Sequence, residues 1–492
     1  MRNFFDEPVA ATYDQSTWEE FQPATIEATV DLLASLAGNG RALELGIGTG
    51  RIALPLAARS VPVSGIDLSE AMVARLHEKP GGEEIDVAIG DFSTTEVEGS
   101  FSLAYLVYNG IENLTSLEAQ VACFRNAAAH LEPGGRFVIE VGVPGLQHLP
   151  PGSVYEVFHG SNDYWGIDET DVVDQGLISH HVRSVDGRYE RVSMPFRYVW
   201  PSELDLMAEI AGMRLLERWS GWNREPFTGE SRKHVSVWEK TEPVERISPA
   251  PVDYFDEPTA ETYDETESDE FDDDSIGSCV EFLAGLAGEG PALELGIGTG
   301  RIALPLAARG VRVHGVDLSK PMLAKLREKP GGADIGITAG DMSTTRVEGS
   351  FSLVYLVCNT IMNLTEQEAQ VACLRNAAVH LEPGGCFVIK VMIPELRRLP
   401  PGETFHVFAG GEDYWGIDEY DVLNQGLISH HLELVDGRYE RTSIPFRYVW
   451  PSELDLMAEL AGMRLRERWE DWNRRPFTGE SRKHVSVWEK PS

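Results

Sequence analysis

Through residues 41–143, short continuous apolar runs alternate with stretches of helical spacing. RALELGI (41–47), VPVSGID (61–67), DVAIGD (86–91), FSLAYLVYN (101–109) and RFVIEVGV (136–143) read as strands. Between them a helix is predicted from about residue 51 and a second opening at Ser69, a residue type that caps helix N-termini. A third covers LEAQVACFRNAAAHL (117–131) and is stopped by Pro133-Gly134-Gly135. Alternation of this kind implies an α/β core with a mostly parallel sheet covered on both faces. Unbroken apolar strands such as SLAYLV fit burial on both sides. The pattern changes after residue 154. VYEVF, GLISHHVRSV and RYERVSMPFRYVW follow one another as strand-like segments, with an Asp-Gly turn signal at Val185-Asp186-Gly187-Arg188. An antiparallel insertion is therefore expected. It is followed by a helix over 202–213 with Ser202 as N-cap, and by two last strands, RLLERWSGW and KHVSVWEK.

The whole pattern then recurs. ALELGIGTGRIALPLAAR occupies 42–59 and again 292–309, and the offset of 250 holds from FDEP (5–8 and 255–258) to SRKHVSVWEK (231–240 and 481–490). A repeat of roughly 240 residues is a duplicated domain, not a short-period solenoid. The expected organisation is one domain over 1–245, a proline-stiffened connector over 246–252, and a second domain over 253–492.

The chain of 492 residues is 42% hydrophobic and 25% charged, a globular mix, with a net charge of −37. Such acidity opposes nucleic acid and anionic membranes as partners. No run approaches the ~18 apolar residues of a membrane helix, and MRNFFDEPVA meets Asp6 and Glu7 too early for a signal peptide. Five cysteines (Cys123, Cys279, Cys358, Cys373 and Cys386) fit no metal spacing and no disulfide framework, so a cytoplasmic setting is expected.

The candidate chemistry lies at Gly46-Ile47-Gly48-Thr49-Gly50, between a strand and a helix. Glycines there let a ligand approach the backbone closely. Dinucleotide-binding dehydrogenases use such a turn too, but their pattern wants a small residue where this chain has Arg51. Glu44 sits inside an apolar strand, where a lone carboxylate is costly without a partner. Asp67 ends the next strand, placed for a ribose diol, a feature dehydrogenases share.

Taken in order, ALELGIGTGR, GIDLSEAM and AIGDFS resemble the nucleoside-binding motifs of class I S-adenosylmethionine-dependent methyltransferases, over 40–143 and 290–393. The resemblance implies two tandem Rossmann-like seven-stranded domains, each with an antiparallel β insertion after the fifth strand. It implies S-adenosylmethionine as cofactor and a small-molecule methyl acceptor. Carried over residue by residue, Glu44 meets the methionine ammonium and the backbone of Gly46, Gly48 and Gly50, followed by Arg51, holds the methionyl part. Asp67 takes the ribose, Leu68 and Met72 flank the adenine, and Asp91 with Phe92 reads its amino group. Tyr13-Asp14 resembles a Tyr-Asp pair that covers the cofactor. The second copy offers Tyr263, Glu294, Gly296, Gly298, Gly300, Arg301, Asp317, Leu318, Met322, Asp341 and Met342. Asn109 and Asn359 face the methyl site on this reading.

Methyl transfer to a hydroxyl or a protonated amine needs a base. Candidates are Tyr108, Glu112 and one of His180 or His181, since strand neighbours point to opposite faces; His431 is the counterpart of His181. The copies part company where an acceptor should sit. Tyr108, Gly110, Glu112, Glu140 and Gly142 become Cys358, Thr360, Met362, Lys390 and Met392. Either both halves are active with unlike acceptors, or one half is catalytic and the other only holds cofactor. The stretch 253–274 carries 12 acids and no Lys or Arg, which is expected to weaken closure of the Tyr263 segment. Pairing of the halves as an intramolecular pseudo-dimer, with the chain a monomer, is a further expectation. Arginine outnumbers lysine 33 to 9, fitting a G+C-rich bacterial gene and a setting in specialised metabolism.

Overall fold

The computed structural model describes residues 3–185, 187–241, 252–265 and 272–492. It divides into two compact units, Met1–Glu245 and Arg246–Ser492. The expected connector falls, but for Val252, outside the described residues, as does part of the acidic stretch.

In the first unit β1 (Ala42–Leu45), β2 (Val63–Asp67), β3 (Asp86–Ile89), β4 (Phe101–Leu106) and β5 (Leu131–Gly142) run parallel. The insertion follows as β6 (Tyr155–Gly160), β7 (Tyr164–Asp171), β8 (Gly176–Val185) and β9 (Arg188–Arg197). Then come β10 (Met213–Trp219) and β11 (Lys233–Lys240). The seven-stranded sheet has the order β3-β2-β1-β4-β5-β11-β10, with β11 antiparallel to β5 and β10 to β11. Strand order reverses between β1 and β4, so the carboxyl ends of those strands open a crevice where open α/β sheets bind ligands. Val30, Leu33, Ile52, Leu56, Leu103 and Val138 belong to the core cluster beside β1.

The second unit repeats this with β12 (Ala292–Leu295), β13 (Val313–Asp317), β14 (Gly336–Ala339), β15 (Phe351–Leu356) and β16 (Leu381–Met392). Its insertion is β17 (Phe405–Gly410), β18 (Tyr414–Asp421), β19 (Gly426–Val435) and β20 (Arg438–Arg447), and β21 (Arg464–Trp469) and β22 (Lys483–Glu489) complete its sheet. The expected architecture of two tandem seven-stranded α/β domains, each with an antiparallel insertion after its fifth strand, is the one observed.

Two local expectations differ. The insertion has four strands where three were read. Tyr164–Asp171 is a strand whose polar residues fall on both faces, so it shows little apolar alternation. The helix after it begins at Pro201 with Trp200, not Ser202, as N-cap. Glu203 accepts the Trp200 amide at 2.8 Å, and this same buried carboxylate pairs with Arg197 at 3.0 Å. Arg197 also donates to Gln120 and Gln175, and Gln175 to Glu203, so a buried polar knot fastens the insertion onto the core. Arg447, Glu453, Gln370 and Gln425 repeat it. No helix among the described residues is long and apolar enough to cross a membrane.

Candidate active site

The glycine turn leaves β1 with Gly46, Gly48 and Gly50 all at positive φ. Gly46 and Gly48 have room around them: a methyl group would come no nearer than 3.8 Å to a neighbour at Gly46 and 3.4 Å (Met72 Cε) at Gly48, whereas one at Gly50 would strike Leu76 at 2.9 Å. Gly50 thus serves packing, and Gly46 and Gly48 leave the backbone open to approach. Asp67 reaches under the turn. Its two oxygens accept the Gly48 and Ser69 amides at 2.7 and 2.8 Å, while burial pushes its carboxyl up. Asp317 makes the same contacts with Gly298 and Ser319. A carboxylate already occupies the amide that would greet a phosphate, which disfavours a pyrophosphate ligand. Half-buried Leu68 and buried Met72 follow Asp67, as Leu318 and Met322 follow Asp317. Asp91 accepts the amide and hydroxyl of Ser93, and the Phe92 carbonyl accepts from Asn126 at 2.9 Å. Asp341 and Met342 do likewise with Ser343 and Asn376.

Glu44 is 2% exposed, and its Oε2 accepts the Tyr105 hydroxyl at 2.9 Å. Burial raises its pKa to about 8, against the opposing pull of Tyr105 and the Arg51 charge. Glu294 with Tyr355 matches it, also at about 8. A buried carboxyl held so high is built to meet a cation. Together with the bare turn and Asp67, this donor set fits a cationic nucleoside.

The N-terminal segment is latched to the turn. Thr49 donates to Asp14 Oδ1 at 2.6 Å, and Lys79 bridges Asp14 Oδ2 and the Thr49 carbonyl. Tyr13 stands in a train of rings with Phe5, Phe21 and Tyr108, and Arg51 lies over Phe21 and Tyr108. In the second unit Asp264 is held by Thr299 and Lys329, and Arg301 donates to the Tyr263 carbonyl and lies over its ring. Within the described part of the acidic stretch, Asp264 keeps this latch, paired with Lys329 and Arg301.

Asn109, at positive φ, accepts the Gly142 amide at 2.8 Å and gives its own amide to the Glu140 carbonyl, tying β4 to β5. Asn359 does the same with Met392 and Lys390. Beyond them β9 of the insertion packs against the turn Gly110–Asn113 that follows Asn109. His181 Nδ1 meets Tyr164 Oη at 2.6 Å, and Ser179 bonds both His181 and the Asp168 carboxyl. Burial lowers the His181 pKa, so a neutral ring accepts from Tyr164. His431, Tyr414, Ser429 and Asp418 repeat this chain. His180 points to the other face, against Ser193 and Glu169. Glu112 sits within electrostatic reach of Asp168, and burial raises it to about 8. Asp168 Oδ1 is buried with no hydrogen-bond partner among the described residues. Tyr164 and Asp168 escaped the sequence reading; period-two spacing of Tyr164, Gly166, Asp168 and Thr170 is the signal that marks them as one face.

Behind Tyr108, Glu140 is buried and accepts the Tyr108 amide and the Trp222 indole. Its counterpart Lys390 is 5% exposed and pushed by burial down to about 7. It lines a cavity of about 240 Å³ with Cys358, Trp472 and Lys483.

A family model described as a methyltransferase domain matches residues 42–135 and 292–385. The cypemycin N-terminal methyltransferase of a Streptomyces species is 30% identical over 203 residues, which is 40% of this chain and 82% of that protein. The chain belongs to the methyltransferase family. A putative methyltransferase, YqeM, of Bacillus subtilis (strain 168) is 30% identical over 149 residues, 29% of this chain and 60% of that one. Among solved structures, the CcbJ methyltransferase from Streptomyces caelestis is 39% identical, covering 47% of this chain and 96% of its own, with a TM-score of 0.44. The methyltransferase uses S-adenosylmethionine, whose sulfonium supplies an electrophilic methyl group. The protein's own share is to align an acceptor and exclude water.

Proposed function

We propose that the first half methylates an amine nitrogen of a small molecule. The observation that carries this is the nearness of Glu112 to Asp168, two carboxyl groups within electrostatic reach, the second with a buried oxygen that has no hydrogen-bond partner among the described residues. Such a pair attracts an ammonium group and takes its proton: the N–H bond breaks, its electron pair stays on nitrogen as the attacking lone pair, and the proton rests on a carboxylate. Neutral His181 and Tyr164 orient Asp168 through Ser179. The likeness to an N-terminal methyltransferase supports nitrogen as the target. Mass-spectrometric assay against small amines tests it. Glu112→Gln is expected to lower kcat/KM about 100-fold and to erase a rise in rate near pH 8, as loss of a general base does. Equal rates for both proteins across pH contradict it.

On this reading both halves hold cofactor. One observation favours a second half that binds cofactor without transferring from it: the Thr360 methyl group lies 2.5 Å from where a side chain on Gly296 would start, a space that Gly110 leaves open in the first half. Glu44→Ala and Glu294→Ala, assayed separately, assign activity to each half. The expectation of a chain that is monomeric in solution is tested by its mass. Light scattering at the mass of one chain, 54.4 kDa, agrees with it, and a tight dimer of chains does not.

A further inference from the structure

Tyr108 and Cys358 hold the same position in the two halves, and the backbone there has the same shape, with φ of 53° and 56°. Their side chains therefore leave the turns after β4 and β15 in the same direction. In the first half a phenol ring follows that direction. It packs edge-on against Phe21, with ring centroids 5.5 Å apart, and Arg51 lies over its face. In the second half the side chain ends at a thiol, and Cys358 borders the cavity of about 240 Å³. The apolar wall of that cavity, Ile276, Ile302, Val357, Trp472 and Val485, is residue for residue that of the first half. Only the first half brings a ring of its own to this position. The polar side of the wall differs as well. Glu140 accepts the Trp222 indole at 2.9 Å, whereas its counterpart Lys390 brings an amine, so Trp472 lacks that carboxylate acceptor. Trp472 is braced instead by Phe282, with ring centroids 5.4 Å apart, where the first half has Leu32.

We propose that the second half binds a small phenol in this cavity, the ligand supplying the ring that Tyr108 supplies in the first half. The space suffices, since an apolar cavity of about 150 Å³ already holds benzene. The ring would lie against the apolar wall, and its oxygen would accept the Trp472 indole N–H. Lys390, Lys483 and Arg475 also line the cavity, and cations favour an aromatic face over an alkyl one. The acids on the wall are already engaged. Asp272 caps the helix Asp273–Ala287 through Ser275, and Asp471 takes the Arg475 guanidinium at 2.6 Å. An alkylammonium would meet the Lys390 and Lys483 amines there, so the amine proposed for the first half is the wrong ligand for this cavity.

The probe is 4-fluorophenol, titrated by fluorine NMR into the full chain saturated with S-adenosylhomocysteine. Cys358→Tyr returns a ring to the cavity, Cys358→Leu fills it with an aliphatic side chain, and Cys358→Ala leaves it open. Unaltered S-adenosylhomocysteine stoichiometry shows that a variant has folded, and Cys358→Leu decides the matter if Cys358→Tyr does not fold. The wild type should bind the phenol saturably. Cys358→Tyr and Cys358→Leu should each weaken that binding at least tenfold, and Cys358→Ala should change it less than threefold. Cyclohexanol, of similar size but without an aromatic face, should bind the wild type at least fivefold more weakly. No saturable binding by the wild type, or binding indifferent to the filling substitutions, overturns the proposal. Cyclohexanol binding as tight as that of 4-fluorophenol overturns the choice of an aromatic ligand. None of these outcomes touches the amine reading of the first half, which Glu112→Gln tests.

Discussion

Tyr105 donates its hydroxyl to Glu44 across 2.9 Å, between register partners on adjacent parallel strands. With its pKa near 8, Glu44 is mostly protonated at neutral pH in the free protein. A ligand ammonium needs the carboxylate, so its binding expels that proton. S-adenosylhomocysteine affinity should therefore climb as pH rises toward about 8 and level off above it. Tyr105→Phe removes a donor to the charged form, moves Glu44 higher still, and should weaken binding at pH 7 about tenfold for each unit of displacement. Calorimetry across pH checks both. A flat profile contradicts the assignment.

The same raised carboxyls act on stability with a definite sign. Glu44, Glu112 and Glu294 have folded-state pKa values above their unfolded ones. Between the ordinary carboxylate range and about pH 8 the folded state holds protons that the unfolded chain has released, so stability of the free protein falls as pH rises through that window. Thermal unfolding from about pH 5 to 8 should show the decline, and Glu44→Gln should lessen it.

Asp14 fastens the N-terminal segment by a charged bond to Lys79 and a hydroxyl bond from Thr49. Asp14→Ala should weaken cofactor binding in the first half about tenfold, the scale of a lost charge-assisted hydrogen bond. Thermal unfolding should stay nearly unchanged, because the latch joins a surface segment to a loop. Asp264→Ala should do the same in the second half.

The buried Arg197–Glu203 pair is a different case, since both side chains lie out of water. Arg197→Met strands a buried carboxylate and should cost about 3–5 kcal/mol in denaturant unfolding. Arg197→Met with Glu203→Leu should recover most of that loss.

What could be read from the chain was whatever short-range spacing encodes. Glu44, the glycine turn and Asp67 fall within one strand-turn-helix-strand unit, and an exact repeat at +250 exposes the duplication without any structure. The residues proposed to meet the acceptor were not legible in this way. Asp168 stands near Glu112, which is 56 residues earlier in the short helical turn after β4, and β7 lacks the apolar contrast that marks a strand. The N-cap of the Pro201 helix was misplaced for a related reason: Glu203 serves the cap and Arg197 at once, a demand set by tertiary packing and not by the local preference for serine.

The account turns on two complete cofactor sites in one chain. Calorimetric titration of the wild type with S-adenosylhomocysteine should give two equivalents per chain, falling to one in Glu44→Ala and to one in Glu294→Ala. A wild-type stoichiometry of one, or a second equivalent that survives both substitutions made together, would contradict it.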